Sequence, residues 1–78
     1  MNPTLFKTYD LNLAAYLLVY YPLVNYSNNG GRFSFYFTST PQLKQRVFDF
    51  FSKSAETNIS KFCDNLRSLK AMTLNLRD

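Results

Sequence analysis

The stretch "RFSFYFTSTP" (32–41) decides the fold. Phenylalanine falls on every second position, at 33, 35 and 37, and Arg32, Ser34, Tyr36 and Thr38 fill the positions between. Successive side chains of a strand point to opposite faces, so the pattern predicts a β-strand with one apolar face and one face carrying a cation, a ring and two hydroxyls. "TP" then changes the regime: Thr40 suits a helix N-cap, and Pro41 suits the first helical position, where its missing amide has no partner to lose. Upstream, "NNGG" (28–31) supplies residues that tolerate positive φ, which predicts a tight hairpin joining the strand to "PLVNYS" (22–27) as its partner.

Working outward, "LFKTY" (5–9) alternates weakly and reads as a first strand. Asp10 suits the N-cap of a helix over 11–20, with Leu11, Ala14, Ala15 and Leu18 on one face and Pro22 ending it. A second helix follows Pro41 to about residue 54, with Leu43, Val47, Phe50 and Phe51 on its apolar face and Phe48 beside them. After a break at "SAETN" (54–58), a third helix capped by Thr57 or Asn58 runs to about Met72 on the stripe Ile59, Phe62, Cys63, Leu66 and Leu69. The tail "LNLRD" (74–78) reads as frayed or as a short extension that docks on a neighbour. The expected architecture is a single α+β domain over 1–78: a small antiparallel three-stranded sheet with helices on one face, in the order β-α-β-β-α-α. Such an arrangement leaves the sheet's other face uncovered.

Composition narrows what such a domain does. Eight Phe and six Tyr let a 78-residue chain bury a sufficient core without disulfides, and Cys63, the only cysteine, has no partner within the chain. There is no histidine, so the commonest general base and the commonest metal ligand are both missing. Asp10, Asp49, Glu56 and Asp64 are dispersed, with neither an acid–base pair nor a metal-ligand cluster, and Cys63 sits on an apolar stripe with nothing to activate it. The expectation is a protein without catalytic residues, metal or cofactor. The apolar run "LNLAAYLLVYYPLV" (11–24) is shorter than the ~20 residues a membrane span needs and contains Pro22, so it reads as a buried helix of a cytoplasmic protein. Nine Lys and Arg against five Asp and Glu give a net charge of +4, which favours anionic partners, nucleic acid above all.

Three segments, "KTYDLNLAAYLL" (7–18), "GRFSFYF" (31–37) and "ISKFCDNLRSLKAM" (59–72), resemble an uncharacterised family of small domains found in phages and in bacterial mobile or metagenomic sequence. Thr8, Asp10, Leu11, Leu13, Ala14, Ala15 and Leu17 match its opening, Gly31, Arg32, Phe35 and Phe37 its central strand, and Phe62, Arg67, Leu69 and Lys70 its closing helix. One departure is local: "YYPLV" (20–24) stands where the pattern has a glycine after the first helix. The resemblance implies a phage or mobile-element origin and, if phage-encoded, action in the host cytoplasm. It implies no mechanism.

The candidate site is the uncovered sheet face. Arg32 and Tyr36 form its centre, Lys7 or Tyr9 and Asn25 or Tyr26 join it according to strand register, and Arg67 and Lys70, three residues apart on the third helix, add phosphate contacts. Rings that stack on bases beside cations that neutralise phosphates are the combination single-strand binders use. A purely structural alternative pairs Tyr26 with Tyr36 across the sheet beneath Arg32. A second functional expectation is a protein-binding inhibitor or adaptor acting on a host defence, replication or transcription protein, with self-association as a homodimer through the same face as its variant.

Overall fold

The computed structural model describes residues 4–77. It has strands β1 (Leu5–Thr8), β2 (Asn25–Asn29) and β3 (Arg32–Thr38) and helices α1 (Leu11–Leu18), α2 (Pro41–Phe51) and α3 (Ile59–Asn75), in the order β-α-β-β-α-α. The sheet is antiparallel throughout with β3 in the centre, in the spatial order β1-β3-β2. The chain extends 36 × 36 × 19 Å, and 19 Å is the thickness of one sheet plus one layer of helices. The far face of the sheet is bare.

Each helix starts where its cap residue dictates. The Asp10 carboxylate accepts from the amides of Asn12 and Leu13 at 2.9 and 3.1 Å, Thr40 Oγ1 from Leu43 at 3.0 Å, and Asn58 Oδ1 from Lys61 at 2.9 Å. α1 is buried on every side from Leu13 to Leu17, which makes it the axis of the helical layer. Asn65 of α3 donates to the Ala15 carbonyl at 3.2 Å, and the Tyr20 hydroxyl donates to the Glu56 carbonyl at 3.0 Å, so the end of α1 is tied to α3 and to the loop before it. Phe33, Phe35 and Phe37 close the core from the sheet side, together with Leu43 and Leu69.

Four expectations change. β2 begins at Asn25, not at Pro22, because the hairpin turn is only Gly30–Gly31: both have positive φ (62° and 90°), as a two-residue type I′ turn requires, and Asn28 and Asn29 become strand. The end of α1 needs no left-handed glycine where "YYPLV" stands. The amides of Tyr20 and Tyr21 both bond the Leu17 carbonyl, at 3.0 and 2.9 Å, and close the last turn. α2 stops at Phe51 before Lys53 at φ 63°, and its apolar face is narrower than expected, with Phe48 66 % and Phe51 61 % exposed; Ile59, expected on the buried stripe of α3, is 76 % exposed. α3 continues past Met72 to Asn75, and Asn28 Nδ2 donates to the Leu76 carbonyl at 3.4 Å, so the tail as far as Arg77 docks on the hairpin of its own chain.

Candidate nucleic-acid interface

Register decides which side chains share the bare face. Lys7 lies opposite Tyr36 and Tyr36 opposite Asn25, while Ser34 lies opposite Ser27 and Arg32 opposite Asn29. Phe6, Thr8, Tyr26 and Asn28 pair with the phenylalanines of β3 and face the helices. Tyr9, two residues past Lys7, therefore follows it onto the bare face, and the two are not alternatives. Tyr26 is on the opposite side from Tyr36 and stacks on Phe33 at 6.3 Å, so the expected Tyr26–Tyr36 pair does not form; Tyr36 instead bonds Ser27 through its hydroxyl at 3.3 Å.

The result is a ladder of alternating cations and rings. The Arg32 guanidinium lies 4.1 Å from the centre of the Tyr9 ring, Lys7 Nζ lies 5.0 Å from the same ring, and Lys7 Nζ is also 5.9 Å from the Tyr36 ring. Each contact draws a long cationic side chain over a ring. The neighbouring Tyr9 phenol and, less strongly, Tyr36 raise the Lys7 ammonium above its ordinary value. Lys7, then Ser34 and Arg32, draw the Tyr9 phenol below its ordinary value. No carboxylate among the described residues lies on this face: Asp10, next in sequence, is turned away to cap α1.

Beneath the ladder the Ser34 hydroxyl is fully buried and makes no hydrogen bond of good geometry, although the Tyr9 hydroxyl is close enough to feel it. It was expected to be exposed.

Of the five expected site residues, the fold gathers Lys7, Arg32 and Tyr36. Arg67 and Lys70 are exposed on α3, in the helical layer, and Arg67 is engaged by Asp64 at 3.0 Å. Neither is among the residues that line the cavity beside Tyr9 and Arg32. Two residues join that were not expected at the site. Tyr9 was offered only as an alternative to Lys7, although strand parity alone puts both on one face. Arg77, assigned to a frayed tail, lines a cavity with Tyr9 and Arg32, and no local pattern marks it. A larger hollow of about 610 Å³ between Tyr21, Thr40 and α2 holds both Arg46 and Asp49, so its charges cancel, and it does not include the ladder. No group of three or more metal-ligating side chains is found among the described residues, and no helix there is long and apolar enough to cross a membrane.

Fold and face together define a two-layer α+β domain with one bare, cation-bearing sheet surface. The chain belongs to the DUF5659 family, a domain of unknown function, which it matches over residues 3–75. No curated protein and no solved structure matches the chain.

Proposed function

We propose that this protein binds single-stranded nucleic acid on the bare sheet face, as an accessory factor with no chemical step of its own. The carrying observation is the ladder Arg32–Tyr9–Lys7–Tyr36 on a surface that holds no carboxylate among the described residues. Its two cations suit phosphates and its two rings suit bases, each stacked base contributing about 1–3 kcal/mol. A flat sheet admits splayed bases that a duplex keeps inside, which favours single strands. The phage or mobile-element setting rests on the sequence resemblance alone.

Fluorescence anisotropy of a labelled single strand tests this directly. Binding in the micromolar range at low ionic strength is expected, falling with salt at a logarithmic slope of about −0.7 per phosphate contacted. Arg32→Ala reduces that slope by one such increment, whereas Tyr36→Ala weakens binding with the slope unchanged. No anisotropy change at tens of micromolar protein in low salt overturns the proposal.

One observation favours a second reading, a protein-contact surface. Phe48, Phe51 and Ile59 leave large apolar groups exposed on the helical layer, where small monomeric domains seldom leave them. That reading includes the host-directed inhibitor or adaptor and the homodimer. Light scattering separates the homodimer from the rest: a monomeric mass at high concentration removes it.

A further inference from the structure

We propose that the cavity at the end of the ladder takes the phosphorylated terminal nucleotide of the strand. It is an open hollow of about 300 Å³ where three segments converge: Tyr9 and Leu11 at the entry to α1, Gly31, Arg32, Phe33 and Phe35 at the start of β3, and Thr73 and Arg77 at and just beyond the end of α3. The volume is at the lower end for small-molecule sites, enough for a ring with its substituents and too little for a folded segment of chain. Its floor is apolar, with Phe33 and Phe35 buried and Leu11 half-buried. Its lining includes two guanidiniums, Arg32 and Arg77, and no carboxylate among the described residues. An apolar-lined hollow at the edge of the sheet, with two cationic forks among its residues, suits a planar ring that carries an anion.

Charge decides which anion. An internal phosphodiester carries a single charge and needs one cation, as Lys7 supplies further along the ladder. A terminal phosphate monoester carries a charge of about −1.5 to −2 at neutral pH and presents three acceptor oxygens. Two arginines on one cavity match the monoester. Arg32 is stacked on Tyr9, and the backbone next to Arg77 is bonded to Asn28 through the Leu76 carbonyl. The strand then runs from its phosphorylated end at Arg77 and Arg32 toward Lys7 and Tyr36. This inference rests on the single-strand reading above, and it makes the protein a reader of strand ends rather than a sequence-blind coat.

The test uses a short, internally labelled single strand carrying a 5′-phosphate, a 3′-phosphate or hydroxyls at both ends. One of the two phosphorylated strands should bind about tenfold more tightly than the hydroxyl-ended one, and which one gives the polarity. Arg77→Gln, an exposed position, should abolish that preference, so that the variant binds the phosphorylated and the hydroxyl-ended strands with equal affinity. Equal affinity for all three strands overturns the end-capture site and leaves the single-strand reading standing. Failure to bind any of them overturns both.

Discussion

The two faces of β3 are built from adjacent residues and obey different physics. On one, Phe33, Phe35 and Phe37 are buried against α1, Leu43 and Leu69, and every ring contributes to stability by leaving water. On the other, Arg32, Tyr36 and their neighbours Lys7 and Tyr9 remain at the surface and hold one another through cation–π contacts that add little to stability. The difference teaches that the two faces contribute unequally to the core. On the single-strand proposal, the four polar and aromatic side chains of the open face serve a ligand.

Substitutions that fall on one face and not the other can break this division. The largest effect is expected at the buried face: Phe35→Ala removes a fully buried ring at a cost of about 3–5 kcal/mol, most of what a domain this small has, and should abolish the cooperative thermal transition followed by circular dichroism. A folded Phe35→Ala variant with a melting temperature near that of the parent would mean that the core lies elsewhere. Next is the hairpin. Gly31→Ala forces a Cβ into left-handed backbone and should cost about 1–2 kcal/mol in urea unfolding, although no atom lies within reach of that Cβ to clash with it.

These expectations also mark what the sequence made legible. The alternation of β3 and the caps Asp10, Thr40 and Asn58 could be read directly, because each depends on neighbours in the chain. The start of β2 could not. "PLV" is as apolar as a strand and Asn28–Asn29 as turn-prone as a loop, and only the fit of a two-residue Gly-Gly turn to the twist of the sheet drew both asparagines into pairing. The site was half legible for the same reason. Parity along β1 and β3 groups Lys7, Tyr9, Arg32 and Tyr36, whereas the separation of Arg67 and Lys70 from them, and the approach of Arg77, depend on how α3 crosses the domain.

Smaller effects sharpen the contrast from the open side. Ser34→Ala removes a buried hydroxyl without a well-formed hydrogen bond and should be neutral or stabilise by about 1 kcal/mol; a loss of stability of that size would mean that Tyr9 is its partner and part of the structural framework. Arg32→Ala should change stability by no more than about 0.5 kcal/mol while weakening strand binding. The smallest effect is electrostatic. Because Lys7 favours the ionised phenolate, Tyr9 should ionise below the ordinary tyrosine value, followed by ultraviolet difference absorbance, and binding should decline as this negative charge appears on the face. Lys7→Gln should move that ionisation back toward the ordinary value of about 10. An unchanged titration curve would place the Lys7 ammonium away from Tyr9.

The central claim, that the bare sheet face and not the helical layer meets nucleic acid, is tested most directly by amide chemical-shift mapping of the labelled protein during titration with a thymidine oligonucleotide. The account predicts that the largest shifts fall at Lys7, Tyr9, Arg32, Ser34 and Tyr36 and that Lys44, exposed on α2, and Arg67 and Lys70 of α3 stay within the spread of the remaining residues. Shifts concentrated at Lys44, Arg67 and Lys70, with the β3 amides unmoved, would contradict it.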